Sequence, residues 1–259
     1  MARTVNGAKT RLTASGAVFF HEAKSILNAV DAAVTAVAVL CVVEPHMTGI
    51  GGDCFCLYAP AGTGKVIGLN GSGRAPRAAS IDWFESHQIR AIDNTSAHAV
   101  SVPGAIDAWE TLLNAHGTKG LDELLQPAIR MAAEGWPVHS KVSRDWAASE
   151  GKLRKNGSDT FLPGGSAPKP GDMFVNAPLA ETLRAIAKGG ADVFYSGEIA
   201  HAIDEDMRRN GALLSIEDLK AWRTTHNDPL WGEYRGYRVS TNQPPGGGVI
   251  WFTRRDAAR

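Results

Sequence analysis

At 259 residues, with 44% hydrophobic and 21% charged side chains, the chain has material for one large or two small globular domains. Lysine plus arginine equals aspartate plus glutamate at 27 each, so a net charge of zero gives no electrostatic case for nucleic acid or an anionic membrane surface. Three cysteines (Cys41, Cys54 and Cys56) make no disulfide framework, the longest apolar run (residues 36–43) falls short of a membrane span, and the start has no signal-peptide core, so a cytoplasmic chain is expected.

The first strong element is "NAVDAAVTAVAVLCVV", residues 28–43, which reads as a buried helix. Asn28 is its expected cap, and Asp31 places a carboxylate in the first turn, where the helix dipole favours it. Pro45 restricts Glu44 and ends the run. The loop "EPHMTGIGGDCF", residues 44–55, follows with Gly49, Gly51 and Gly52, residue types used for positive φ or close backbone approach. Two short apolar runs, "CFCLYA" and "KVIGLN", flank the turn "PAGTGK" and predict a hairpin. Helices are expected around 106–116 and over "DELLQPAIRMAAEG", residues 122–135, the latter closed by Gly135 and Pro137. Residues 151–172 read as a loop. "APLAETLRAIAKGG" is expected to be a helix ending on its glycines. "SGEIAHAIDEDMRRNG" and "SIEDLKAW" predict two more, with Ser196 and Ser215 as caps. No repeat period and no regular βαβ alternation is present.

Four stretches could carry chemistry. The glycine loop fails as a phosphate cradle: a helix precedes it, a strand follows it, no lysine follows the glycines, and "GIGG" misses the dinucleotide spacing. Cys54 and Cys56 share a strand face, but the only imidazole nearby in sequence is His46, so they are expected to be small buried core side chains and not metal ligands. Thr224-Thr225-His226 resembles a processing site that would free a threonine nucleophile, yet a cut there leaves only about 35 residues, below the size of an independent core. A polar loop is expected instead. In "LNGSGRAPRAAS", residues 69–80, a strand runs into a turn carrying Ser72, Arg74 and Arg77, and an arginine fork there suits a carboxylate, with Arg74 as the candidate ligand.

Taken together, "NAVDAAVTAVAVLCVVEPHMTGIGGDCF", "GRAP", "SVPGAIDAWETLLNAHG", "ELLQPAIRMAAEGWPV", "PLAETLRAIAKGGADVFYSGEIA", "LLSIEDLKAW" and "PLWGEYRGYRVSTNQPPGGGVI" resemble, in order, the γ-glutamyltransferase (γ-glutamyltranspeptidase) family. The resemblance runs from about residue 20 to 250 and treats residues 1–259 as one unit. It implies an α+β, N-terminal nucleophile hydrolase fold, an αββα sandwich of which this chain holds an incomplete, large-subunit part. It further implies a precursor that cuts itself, and a small subunit whose first threonine attacks a γ-glutamyl amide and passes the acyl group to water or an amine. No cofactor, metal, nucleic acid or membrane is called for. The glycine loop then looks like family backbone close to the substrate pocket.

Three departures shape the expectation. The helix entry "SILNAVDAA" lacks the Gly-Gly turn usual in the family. With the family's Ala-Pro pair on Ala75-Pro76, Ser72 stands where an arginine usually grips the glutamyl α-carboxylate, and Arg74 lies two residues on, which opens other amides or acyl groups as substrates. The match stops after "PPGGGVI", before the basic tail "WFTRRDAAR", so the catalytic threonine is expected further on, in a separate or downstream small subunit. Substrate-binding residues are therefore expected at Arg74 and Ser72, and no catalytic residue within the chain. The alternative is a catalytically incomplete remnant that binds a ligand or a partner.

Overall fold

The structure is a computed structural model that describes residues 4–5, 8–9, 28–155, 159–248 and 250. The helix entry at Ser25–Leu27 and the tail beyond Ile250 lie outside the described residues. Short strands β1 (Thr4–Val5) and β2 (Ala8–Lys9) pair antiparallel. The chain divides into two compact units, residues 1–49 with 116–190, and residues 50–115 with 191–259.

The first unit is built on α1 (Ala29–Val43). Asn28 caps it as expected, its Oδ1 accepting from the N–H groups of Val30 and Asp31 at 2.9 Å each, while its Nδ2 donates to the His116 carbonyl. Val30, Val34, Ala38, Val39 and Val42 are buried, and the helix packs on α5 (Gln126–Glu134). Asp31 does more than complement the helix dipole. It is completely buried, and its carboxylate accepts both the N–H (2.9 Å) and the hydroxyl of Thr118. A buried carboxylate needs such partners, because its desolvation is otherwise uncompensated.

The single helix expected over residues 122–135 is two: α4 (Leu121–Leu124) and α5, with Pro127 in the first turn of the second. Proline lacks an N–H and is at home where no intrahelical bond is required of it, so it starts a helix rather than continuing one. Gly135 closes α5 at φ +92°. Two-residue strands β5 (Trp136–Pro137) and β6 (Met173–Phe174) then pair. Around them Trp136, Trp146 and Phe174 pack edge to face, and Trp146 Nε1 donates to the Phe161 carbonyl at 2.8 Å. The stretch 151–172 is less irregular than expected. After α6 (Ser140–Ala147), α7 (Glu150–Lys155) occupies its start, and Glu150 ties it down by accepting from Ala167 N (2.8 Å) and Arg154 (3.0 Å). Helix α8 (Ala177–Tyr195) breaks at Gly190, φ +67°, where the glycine pair predicted an end.

In the second unit β3 (Cys54–Tyr58) and β4 (Ile67–Gly71) form the expected hairpin, with Cys54 opposite Gly71. Between β4 and the rest of the unit lie the short helix α2 (Ile81–Ser86) and α3 (Ala105–His116), whose Ile106, Ala108, Trp109 and Leu112 are buried. Helix α9 (Glu198–Arg209) is preceded by Gly197, not capped by Ser196 as expected: no side-chain cap bond forms. A Cβ at Gly197 would crowd the Val193 backbone at 2.8 Å, so close approach decides this position. Ser215 caps α10 (Ile216–Lys220) in a reciprocal capping box with Asp218. Thr225–Asn227, expected to be a polar loop, is strand β7 and pairs antiparallel with β4, giving a sheet of order β3-β4-β7. Strands β8 (Leu230–Tyr234) and β9 (Tyr237–Thr241) form a hairpin across Arg235-Gly236, both at positive φ. Among the described residues no helix is long and apolar enough to cross a membrane.

Two buried carboxylates make the fold testable. Asp31→Ala leaves the Thr118 N–H without its acceptor and should cost about 1–3 kcal/mol, seen as a lower denaturant midpoint at unchanged slope. Asp204 receives Arg208 and the Ile216 N–H (3.0 Å), and these hold its carboxyl below the ordinary range against the opposing effect of burial. Its contribution is therefore present above the unfolded-state value and is lost as pH falls through the lower folded value. Asp204→Asn should remove that contribution at neutral pH and flatten the acid limb of the stability curve below about pH 4.

A cationic cleft at the end of strand β4

The turn that follows β4 is set by contact between two backbones. A Cβ at Gly71 would stand 2.5 Å from Ala108 Cβ, one at Gly104 would overlap the Gly71 carbonyl, and one at Gly73 would overlap the Val102 carbonyl. Only glycine permits this approach. Three successive main-chain groups are then held: Ser72 N–H donates to Asn70 Oδ1 (2.8 Å), Gly73 N–H to Asp53 Oδ1 (3.2 Å), and the Arg74 carbonyl accepts from Val102 N–H (2.9 Å).

The same region fills the start of α3. The Gly52 carbonyl accepts from the N–H groups of Gly104 and Ala105, each at 3.0 Å. Tyr195 Oη accepts from Asp107 N–H (3.2 Å) and donates to the Pro103 carbonyl (2.7 Å), and burial pushes its phenol well above the usual range. The Asp107 carboxylate accepts from Thr224 N–H at 2.6 Å. The glycine loop thus presents a carbonyl to a helix N-terminus, the opposite polarity to a phosphate cradle. Close approach belongs to Gly71, Gly73 and Gly104. Around Gly49 and Gly51 nothing among the described residues comes within 4 Å of a Cβ.

Arg74 lines a cleft of about 280 Å³ together with Arg77, Asp218, Trp222, Arg223 and Thr225. Asp218, its carboxylate, is fully engaged. Oδ1 accepts from Arg77 N–H (3.1 Å) with Arg77 Nε 3.9 Å away, and Oδ2 accepts from the N–H and the hydroxyl of Ser215. Arg223 Nη1 donates to the main-chain carbonyls of Lys220 (2.9 Å) and Trp222. Three arginines and one aspartate line the cleft, an excess of cationic side chains. Ser72 does not line it. Its residue is half-buried in the pinned turn.

The other sequence candidates resolve differently. Cys54 and Cys56 are half-buried, not core, because β3 is the edge of its sheet; burial raises the Cys56 thiol. Among the described residues no three His, Cys, Asp or Glu side chains gather as a metal site. Of Thr224-Thr225-His226, Thr225 joins the cleft, placed there by pairing opposite Asn70. Asp218 and Arg223 escaped the sequence reading. They lie more than 140 residues from Arg74, and the pairing of β7 with β4, together with the Arg77–Asp218 and Thr224–Asp107 bonds, brings their segment to the turn.

The profile of the Gamma-glutamyltranspeptidase family matches residues 25–254. The glutathione hydrolase proenzyme of Bacillus subtilis (strain 168) is 34% identical over 230 residues, 87% of this chain and 39% of the relative. Among solved structures, gamma-glutamyltranspeptidase of Helicobacter pylori is similar with a TM-score of 0.84 at 30% identity, covering 95% of this chain and 73% of that one. Cephalosporin acylase from Bacillus halodurans is similar with a TM-score of 0.85 at 34% identity, covering 91% and 45%. The chain spans about two fifths of the length of the curated relatives it matches.

Substitution separates the two sets of glycines. Gly104→Ala should lower stability by about 1–3 kcal/mol through overpacking of backbone against backbone. Gly49→Ala, with open space and no positive φ, should change it by no more than about 0.5 kcal/mol. Thermal melts of the two variants beside the parent chain check both.

Proposed function

From the premise that the chain belongs to the gamma-glutamyltranspeptidase family and has its α+β, N-terminal nucleophile hydrolase fold, we propose that it forms the large-subunit part of an amidohydrolase or acyltransferase whose threonine nucleophile is carried by a small subunit. The threonine hydroxyl attacks the amide carbonyl, the amine leaves with a proton, and the resulting ester is cleaved by water or by an amino acceptor. This chain's part is to bind and orient the acyl group. Arg74 holds its carboxylate through a charge-assisted fork, and Ser72, outside the cleft, contributes through the pinned turn that carries Arg74.

The observation that carries this reading is the pinned turn Ser72–Arg74 at the edge of a cleft with surplus positive charge. The turn is fixed before any ligand binds, which lowers the ordering cost of recognition. The small-subunit partner draws support from the word proenzyme in the names of the relatives, and from β3. This edge strand leaves Phe55 and Leu57 each 37% exposed, apolar surface suited to cover by further chain.

A second reading of the substrate rests on Ser72, which stands where γ-glutamyl enzymes resemble one another in having an arginine, and on the likeness to a cephalosporin acylase. Both favour acyl groups other than γ-glutamyl.

Purified alone, the 259-residue chain should release no p-nitroaniline from γ-glutamyl or other acyl anilides. Co-expressed with a threonine-start small subunit it should, and Arg74→Ala should then raise KM about tenfold with assembly intact. Release by the isolated chain, or none by the assembled pair, would count against the reading.

A further inference from the structure

The chain leaves the rim of the cleft after Arg77 and returns to it at Val102, and both ends of that excursion are anchored. The Arg74 carbonyl accepts from Val102 N–H at 2.9 Å, Arg77 N–H donates to Asp218 Oδ1 at 3.1 Å, and Pro76 and Val102 are buried. Between the anchors, no residue from Arg77 to Ser101 is buried. The excursion nevertheless has an interior of its own. Ser80 caps α2 by accepting from Trp83 N–H (3.1 Å), and Gln88, at φ +58°, turns the chain so that Ile89 N–H donates to the Phe84 carbonyl (2.9 Å). The His87 ring stacks on Trp83 with centroids 3.9 Å apart. His98, in the short 3-10 turn Ala97–Ala99 of the returning limb, meets Trp83 and Phe84 edge-on at 5.4 and 5.9 Å. Ring pairs of this geometry hold more strongly than their buried area alone provides. The two limbs are thus tied to each other, and the lobe they form is attached to its unit chiefly at the root.

The residues at that root, Arg74, Ala75, Arg77 and Val102, also line the cleft. We propose that residues 78–101 are a lid of this cleft: a body held together by the Trp83, His87 and His98 rings, which swings on its two short limbs, 78–80 and 100–101, and closes when an acyl group is bound. The identity of the ligand rests on the amidohydrolase reading; the hinged lobe does not. Segments with few buried contacts open at the least cost in free energy, and lids are drawn from them. The anchors at Arg74 and Arg77 keep the turn after β4 in place while the lobe moves. The lobe also carries an apolar groove, with Ile81 76% and Ile92 47% exposed. An extended chain covers the span from Arg77 to Ile81 in about 14 Å, so this groove begins close to the rim. A closed lid keeps water from the bound acyl group and slows its escape.

Spin labels at Ser86→Cys on α2 and Lys220→Cys on α10, in a Cys54→Ser, Cys56→Ser background, measure the lobe against its own unit. The full chain should give a broad or two-peaked distance distribution, and a single narrow peak overturns the lid. In the assembled enzyme, replacing residues 78–100 by Gly-Ser-Gly should leave the melting temperature within about 2 °C, as loss of unburied residues requires. The same variant should lower kcat/KM for γ-glutamyl p-nitroanilide about tenfold, with kcat and KM both changed. Unchanged kcat and KM overturn the inference. If the variant melts lower, Trp83→Ala, which removes the ring that joins the limbs, decides in its place by the same fall in kcat/KM or its absence. If the assembled enzyme cleaves no anilide, the amidohydrolase reading fails on its own, and the label distances decide the lid.

Discussion

Contact of backbone on backbone at Gly71, Gly73 and Gly104 is the constraint from which the second unit takes its form. Three positions without side chains let the end of β4 lie directly on the segment that enters α3. Everything else about the site follows from that proximity. The Gly52 carbonyl reaches the first N–H groups of the helix, Asp53 reaches Gly73, and Val102 reaches the Arg74 carbonyl. A side chain at any of the three would separate the two backbones and release the turn that carries Ser72 and Arg74. Protein interiors are close-packed, so a displacement of this kind is transmitted and not absorbed.

Polar groups in the interior are handled by the same economy in both units. Asp31 is completely buried and meets two donors of one threonine. Asp218 and Asp204 each join a helix terminus to a neighbouring segment while receiving an arginine. In each case the carboxylate is first a structural connector. Asp218 caps α10 and receives Arg77 in the cleft that Arg74 and Arg223 also line. A helix cap and part of a cleft wall are thus two results of one side chain's position.

Much of this was legible in the chain itself, for reasons that are local. Asn28 before an alanine-rich apolar run, Ser215 at the head of "SIEDLKAW", glycines at 189 and 190, and two apolar runs around "PAGTGK" each specify an element through contacts within a few residues. The turn at Ser72–Arg74 was legible as a turn because the apolar strand before it ends on Gly71. The family was legible for a different reason: many ordered stretches, each weak, agree on one register.

What the sequence could not determine depends on partners distant along the chain. Ser196 yields the cap position to Gly197 because the Val193 backbone stands too close. Thr225–Asn227 is a strand only because β4 offers it an edge, and a three-residue polar run carries no periodic signal of its own. Gly49 and Gly51 draw the eye in sequence, yet the close contacts fall on Gly71, Gly73 and Gly104, since glycine content does not reveal which backbone will approach. The sequence by itself determined helices α1 and α10 with their caps Asn28 and Ser215, the first hairpin and the family, all of which rest on neighbours in the chain or on the register of many stretches. Tertiary structure alone decided the cleft, because Asp218, Arg223 and Thr225 reach Arg74 through a strand pairing across more than 150 residues, and no local pattern encodes that approach.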